Sequence, residues 1–214
     1  MGCTASLPEE EAFLATPVAA PAAMPLIPAL TERKTVAMKQ KFLSLSSSDF
    51  SVKDKDGIVY AKLDGKNMSL RERTVLMDSE GKPVACILEK ILAMSPAFFV
   101  YSFSPVYEGQ KPTDETQNGM PLYAYAKVFK KLMSIKDKFV ICMCTKDTGD
   151  NEYESAEAGS FEGTAPGTMS PKCSITYKGV GCCLVERKVI EWGDLIGTNA
   201  YSVTIAAGGD PMLM

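Results

Sequence analysis

The 214-residue chain contains no histidine, which removes the side chain on which several kinds of active site depend. Ser-His-Asp and Cys-His nucleophile systems, HExxH zinc sites and two-His-one-carboxylate iron sites all need an imidazole as base or ligand. Asp54, Asp56, Asp64 and Asp78 fall in predicted turns whose geometry already explains them. We therefore expect a protein that is not an enzyme and that binds no cofactor.

The seven cysteines form no strong metal-binding motif. They occur singly or at CxC and CC spacings with no secretory signal ahead of them, which indicates a reducing compartment. A strand would place Cys142 and Cys144 on one face, as a thiolate metal site requires, but no C-x2-C pair accompanies them. We expect these cysteines to be small buried residues and expect no metal site.

The N-terminus carries a motif for lipid attachment. Residues 1–6, MGCTAS, fit the pattern M-G-x-x-x-[ST], so Gly2 is a candidate for myristoylation and the adjacent Cys3 for palmitoylation. One acyl chain gives marginal membrane binding, whereas two give a stable anchor. The glutamates at 9–11 provide no polybasic support. We expect the protein at the cytoplasmic face of the plasma membrane or of endomembranes, and in the cytosol if it is not acylated.

Basic residues that could bind phosphate oxygens are concentrated in two stretches. Arg71 and Arg73 are predicted to share one strand face, and Lys82 follows the next turn. The second group contains Lys127, Lys130, Lys131, Lys136 and Lys138. The net charge of −3 gives no general basic field, so an anion site must be local and nucleic-acid binding is not expected. The alternative is that these residues are ordinary solvated charges on the surface of a sheet.

Apolar runs between Phe50 and Tyr101 must position the first of these groups. The turns between them combine an acidic residue with glycine: DKDG at 54–57, DGK at 64–66 and DSEGKP at 78–83. Asp with Gly between β-rich runs is a strong hairpin signal, because Gly takes positive φ at little cost and Asp can bond its own backbone. Val59, Ala61 and Leu63 alternate with polar neighbours, as a half-buried strand does. These patterns predict an antiparallel meander.

Further runs predict the rest of the sheet. They cover residues 34–45, 122–133, 136–145, 173–178, 181–189 and 199–207. A spacing of about ten residues per strand is typical of a barrel or sandwich.

The stretches FSVKDKDGIVYAKLDGK, SLRERTVLMDSEGKPV and EKILAMSPAFFVY resemble the LURP-one-related family, whose domain is similar to the C-terminal domain of tubby and to phospholipid scramblases. The resemblance is specific for a fold and weak for an activity. It implies a mainly β protein: a closed, tubby-like antiparallel β-barrel of about twelve strands around one apolar C-terminal helix.

The resemblance also divides the chain. We expect residues 1–33, which lie outside it, to form a disordered, acylated tether rich in Pro and Ala, because four prolines between 17 and 28 exclude a continuous transmembrane helix. We expect residues 34–214 to form the barrel domain and residues 146–171 to form a mobile acidic loop within it.

The C-terminal residues Asp210–Met214 have the pattern of a helix that begins and then stops. The resemblance places the central helix here, so we expect a chain truncated after Met214. The alternatives are an altered or unstable barrel, or one filled by another segment or a ligand.

The resemblance implies a non-enzymatic, membrane-tethered module that binds membrane phospholipids, with anionic headgroups such as phosphoinositides as the expected ligands. One alternative is a protein-interaction or regulatory module in stress and defence signalling, with a protein partner. The other is scramblase-like lipid translocation, which requires a C-terminal helix in the full product.

Overall fold

The computed structural model describes residues 13–17, 30–40, 50–64, 73–92, 95–130, 138–149, 151–155, 161–164, 172–190 and 198–208. The strands within these residues are β1 (Lys34–Gln40), β2 (Phe50–Asp54), β3 (Val59–Asp64), β4 (Arg73–Met77), β5 (Pro83–Leu92), β6 (Ser95–Ser102), β7 (Thr116–Gln117), β8 (Met120–Pro121), β9 (Tyr123–Lys130), β10 (Lys138–Met143), β11 (Phe161–Thr164), β12 (Lys172–Tyr177), β13 (Val180–Ile190) and β14 (Thr198–Ile205).

Twelve of these strands form one closed antiparallel barrel. Their order is β1-β14-β13-β12-β11-β10-β9-β6-β5-β4-β3-β2, and β2 pairs with β1 to complete the ring. β7 and β8 form a separate two-stranded hairpin in the connection between β6 and β9. Most neighbours in sequence are neighbours in the barrel, because short connections join antiparallel strands. The prediction of a mainly β, closed antiparallel barrel of about twelve strands is confirmed.

The predicted turns that begin at Asp54 and Asp78 join β2 to β3 and β4 to β5. In each turn the aspartate Oδ1 accepts hydrogen bonds from the backbone amides two and four residues later. Gly57 and Gly81 have φ values of 80° and 83°, a conformation that glycine adopts at little steric cost. Both turns lie at the end of the barrel where β1 begins and β14 ends, which we call the near end.

Alternation places an apolar face inside the barrel. The register pairs Val36 of β1 with Val203 of β14, and both are buried in a cluster that also contains Ile141 of β10. The neighbouring residues Thr35 and Thr204 point to the other face, where their hydroxyls are 3.0 Å apart. Because most of its strand residues share the face of Val36 and come from separate sides of the ring, we infer that the cluster fills the lumen, and we call it the luminal cluster.

The expectation of a disordered tether over residues 1–33 does not hold for Phe13–Pro17. Leu14 is only 4% exposed and belongs to the luminal cluster, and Phe13 packs against the same cluster. The backbone oxygen of Phe13 lies 2.1 Å from the position that a Cβ would occupy at Gly181, the second residue of β13. Glycine at this position therefore leaves room for the N-terminal segment.

Leu30 extends this N-terminal packing at the near end. Its side chain also contacts the luminal cluster, and its backbone oxygen accepts a hydrogen bond of 2.7 Å from the amide of Gly208. The residues before β1 and after β14 are thus joined to each other where the barrel begins.

The acidic stretch 146–171 also contains structure that its composition did not predict. Strand β11 lies within it and pairs with β10 and β12. The ring of Phe139 fills the space over Gly163 in β11, within 1.9 Å of the position of a Cβ. Tyr153 packs edge-on against Phe99, with ring centroids 5.8 Å apart. Parts of this stretch are therefore integral to the barrel and its outer face.

The expected helix start at Asp210–Met214, and with it the expected truncation, lies outside the described residues. Apart from Phe13, no described residue has helical backbone structure. No helix in the described part of the chain has the length and apolar character needed to cross a membrane.

Candidate functional site

The structure separates the basic residues that the sequence grouped together. Arg73 begins β4 at the end of the barrel opposite the near end, whereas Lys82 lies in the near-end turn after that strand. Lys127 lies within β9, and Lys130 is the exposed last residue of that strand. The other predicted site residues, Gly2, Cys3, Arg71, Lys131 and Lys136, lie outside the described residues.

Arg73 and Lys127 nevertheless belong to one row across the outer face of the barrel. The register pairs Arg73 with Leu88 of β5, Leu88 with Phe99 of β6, Phe99 with Lys127 of β9, and Lys127 with Cys142 of β10. Paired residues on adjacent antiparallel strands present their side chains on the same face. The barrel therefore brings together two basic residues that lie on strands far apart in the sequence.

The ring of Phe99 is the centre of this row. The ammonium nitrogen of Lys90 lies 5.1 Å from its centroid and that of Lys127 lies 5.7 Å from it, both within cation–π range. Lys127 is also 5.2 Å from the ring of Phe129. We call Arg73, Lys90, Phe99, Lys127 and Phe129 the Phe99 patch.

One carboxylate of the described residues, that of Glu115, lies at the edge of this patch between two of its cations. Its Oε2 is 2.9 Å from Nη2 of Arg73, and its Oε1 is 2.8 Å from Nζ of Lys90. The Glu115 side chain is 18% exposed, so both ion pairs are partly shielded from water. By contrast, no ion pair joins Lys127 to a carboxylate of the described part of the chain.

Glu115 belongs to a small hairpin that covers part of the outer face. β7 pairs with β8 across Asn118 and Gly119, whose φ values of 52° and 77° fit a type I′ turn. Leu122, directly after β8, is 1% exposed and packs with Cys86, Leu88 and Tyr101 on the outer face of the barrel. We call residues 113–122 the outer hairpin.

The electrostatics keep Lys90 charged. Burial acts to lower its pKa, but the hydrogen bond to Glu115 and the interactions with Tyr101 outweigh it, so the pKa is raised above its usual value. Burial raises the pKa of Tyr101, whose hydroxyl lies 3.3 Å from Nζ of Lys90. At neutral pH the patch thus combines three cations with the single carboxylate of Glu115.

Sequence reasoning identified Arg73 and Lys127 but missed Lys90, Phe99 and Glu115. The signal for Lys90 was weak, because a lone lysine in a strand is usually a solvated surface residue. Alternation along β5 and β6 could have placed Lys90 and Phe99 on the same face of the sheet. That inference also required the register between the two strands, which the sequence alone does not give.

The cysteines in the described part of the chain show no sign of nucleophilic activation. No disulfide bond involves the six described cysteines, Cys86, Cys142, Cys144, Cys173, Cys182 and Cys183. Burial raises the pKa of Cys182 to about 11, and burial raises the pKa of Cys183 as well. Among the described residues, no group of three or more Cys, Asp or Glu side chains is placed to hold a metal ion.

Comparisons with known proteins agree with this architecture. The chain is similar to a protein from Arabidopsis thaliana whose X-ray structure aligns over 86% of each chain, with a TM-score of 0.54 and 14% sequence identity. At that identity the likeness shows the fold alone. A search of curated proteins found no match. The sequence profile of the LURP-one-related family matches residues 34–214, which is most of the chain. The chain therefore belongs to the LURP-one-related family.

Proposed function

We propose that this protein is a non-enzymatic module that binds anionic phospholipid headgroups through the Phe99 patch. The observation that carries the proposal is the convergence of two ammonium groups, from Lys90 and Lys127, on one ring outside the barrel. Lysine and arginine bind phosphate oxygens through charge-assisted hydrogen bonds, which are stronger than neutral ones. Arg73 lies in the same row and adds a guanidinium suited to bidentate contact.

The local charge also favours an anion. The patch holds three cations against the carboxylate of Glu115, so it is positive although the whole chain has a net charge of −3. Lys127 contacts two aromatic rings, which attract its ammonium group without neutralising it. We infer that Lys127 makes the most direct contact with a headgroup phosphate.

We propose further that acyl chains on Gly2 and Cys3 hold the protein at the cytoplasmic face of a membrane. The proposal rests on the MGCTAS motif, and a myristoyl chain alone gives only marginal binding, about 10⁴ M⁻¹. The intact mass of protein made in a eukaryotic host, compared with its Gly2→Ala variant, tests it. A mass without any acyl group would contradict the acylation proposal, but it would not affect the proposal that the Phe99 patch binds headgroups.

The headgroup proposal is tested with unacylated protein and phosphatidylcholine vesicles that contain a phosphatidylinositol phosphate. We expect Lys127→Gln to weaken co-sedimentation by roughly tenfold, as the loss of one charge-assisted contact to phosphate predicts. The matched control is Lys82→Gln, which removes one exposed positive charge at the near end of the barrel, away from the patch. This control should bind the vesicles as the wild type does.

Equal losses for the two variants would indicate unspecific attraction to the vesicle surface and would overturn the patch as the site. No loss for either variant, in a protein that still binds, would place the lipid site elsewhere. Failure of the wild type to bind any anionic vesicle would favour the alternative of a protein-interaction module.

A further inference from the structure

The carboxylate of Glu115 divides its two oxygens between two cations. Oε2 accepts from Nη2 of Arg73 and Oε1 accepts from Nζ of Lys90, at 2.9 and 2.8 Å. The two cations come from adjacent barrel strands, β4 and β5, whereas Glu115 comes from the outer hairpin. A carboxylate on a separate element therefore occupies the position where two fixed cations of the barrel meet.

This arrangement leaves one strong donor of Arg73 unused. Nη1 donates to the backbone oxygen of Thr116 and lies 3.3 Å from Oε1 of Gln117, and Nη2 donates to Glu115. Nε is buried and has no hydrogen-bond partner among the described residues. A buried donor without an acceptor costs about 1–3 kcal/mol, so this guanidinium is incompletely satisfied by the carboxylate that it binds.

A phosphate monoester matches this set of donors better than a carboxylate does. It has three terminal oxygens and a charge between −1 and −2 near neutral pH, so it can take Nε and Nη2 of Arg73 in a bidentate contact and still accept from Lys90. A carboxylate has two oxygens, and both oxygens of Glu115 already accept from a cation of the barrel.

We propose that Glu115 is an internal competitor of the ligand, and that a phosphate monoester displaces its carboxylate from Arg73 and Lys90. This inference rests on the proposed function, because it concerns the same patch, and it adds the ligand chemistry and a regulatory contact. The phosphate belongs either to a lipid headgroup or to a soluble inositol phosphate, since the donors recognise the group that both share.

The outer hairpin can release Glu115 without unfolding. Its base is held independently, because the amide of Thr113 donates to the backbone oxygen of Leu122 at 2.7 Å and the side chain of Leu122 is buried. Its first strand is tied to the barrel by the contacts of Arg73 with Glu115, Thr116 and Gln117 and by the contact of Lys90 with Glu115. Loss of the Glu115 contact therefore loosens the strand β7 while the base remains in place.

The test compares Glu115→Gln with Asp114→Asn. Glutamine keeps the size of the side chain and removes the charge that competes with phosphate. Asp114 is the adjacent, exposed residue, so its substitution makes the same change in net charge with no ion pair to Arg73 or Lys90. Binding is measured by titration calorimetry with inositol 1,4,5-trisphosphate and by co-sedimentation with phosphatidylinositol phosphate vesicles.

We expect Glu115→Gln to bind about tenfold more tightly than the wild type, and Asp114→Asn to change affinity by less than about twofold. We also expect the trisphosphate to increase amide hydrogen exchange at residues 115–121 of the wild type, which is the opposite of the protection that ligands usually give. Equal affinity for the two variants, or tighter binding by Asp114→Asn, overturns the proposal.

The result also separates this inference from the proposed function. If Lys127→Gln weakens binding and Glu115→Gln leaves it unchanged, the patch binds anions and Glu115 is only a structural clamp. If Glu115→Gln binds although the wild type does not, competition by Glu115 is supported. If no variant binds either probe, both proposals fail. If Glu115→Gln binds inositol 1,4,5-trisphosphate more tightly than the wild type but binds the vesicles no more tightly, the ligand is a soluble phosphate.

Discussion

Asp54 joins a turn to a neighbouring strand through its two carboxylate oxygens. Oδ1 accepts from the backbone amides of Asp56 and Ile58 at 3.0 and 2.9 Å, and Oδ2 lies 3.2 Å from Nζ of Lys34 on β1. The Lys34 ammonium also donates to the hydroxyl of Tyr60. Burial acts to raise the pKa of Asp54, but the hydrogen bonds and Lys34 lower it overall. The ionised form is therefore favoured in the folded protein.

We predict that Asp54→Ala lowers the free energy of unfolding by about 2 kcal/mol, since it leaves two backbone amides without an acceptor and removes the carboxylate that pairs with Lys34. Because the folded pKa lies below the unfolded one, the wild type should lose this contribution as the pH falls below about 4. Urea unfolding at neutral and acidic pH measures both effects. A stability difference that is independent of pH would contradict the prediction.

Asp78 provides the matched control for Asp54. It makes the same two hydrogen bonds to backbone amides, but its turn is exposed and no described ion pair involves it. We expect Asp78→Ala to cost about 1 kcal/mol or less. Equal costs at the two positions would mean that burial and Lys34 add nothing.

Alternation of apolar and polar residues predicted the strands, and the hairpin signals predicted which strands are neighbours. Tyr123–Lys130 lies within its predicted run, and both turns described here form where an aspartate precedes glycine. β11 was missed because four residues in a long acidic stretch are too few to show a period. The outer hairpin was missed although Asn118-Gly119 is a strong turn signal, since only two residues flank it on each side.

The candidate site was less predictable than the fold. The side of β4 that carries Arg73 follows from alternation, but its partner Glu115 depends on how the connection between β6 and β9 folds back. The packing of Leu14 could not be predicted either, because the residues of its cluster are all distant from it in the sequence. Periodicity reports the face of a residue and carries no information about which loop will cover that face.

The packing of the N-terminal segment against Gly181 of β13 can be tested by substitution. A Cβ at residue 181 would meet the backbone oxygen of Phe13, so Gly181→Ala should displace residues 13–17. We expect a loss of about 1–3 kcal/mol, as overpacking of a core commonly costs, and faster cleavage within residues 13–17 in limited proteolysis. In a chain that lacks residues 1–17 the same substitution should cost less than about 0.5 kcal/mol. Equal costs in both chains would mean that the strain lies within β13.

The whole molecule depends on the seam that closes the barrel. β1 and β14 lie near opposite ends of the chain, and their pairing aligns Lys34 with Ile205. Contacts between such distant segments form late and slowly in folding, because closing a long loop costs entropy first. Since every barrel strand has two partners, we expect the loss of the seam to disrupt the barrel as a unit.

Two adjacent residues of the seam test this cooperativity. Val203→Ala removes luminal volume and should lower the free energy of unfolding by about 2 kcal/mol, whereas Thr204→Ala on the outer face should cost about 0.5–1 kcal/mol through its hydroxyl contact with Thr35. In both variants far-ultraviolet and near-ultraviolet circular dichroism should report one shared transition. Two separate transitions would show that the seam opens independently of the barrel.

The docking of Phe13 limits how far a lipid anchor at Gly2 can stand from the barrel. Between Gly2 and Lys34 a fully extended chain could reach at most about 115 Å, whereas between Gly2 and Phe13 it reaches at most about 40 Å. If Gly2 is acylated as proposed, the short segment from Gly2 to Phe13 connects the membrane to the near end of the barrel. The barrel is then held close beneath the bilayer, where rotation about the tether can bring its outer face to the headgroups. Release of the segment at Phe13 would allow the barrel to move much farther from the membrane, because the whole stretch from Gly2 to Lys34 would then act as the tether.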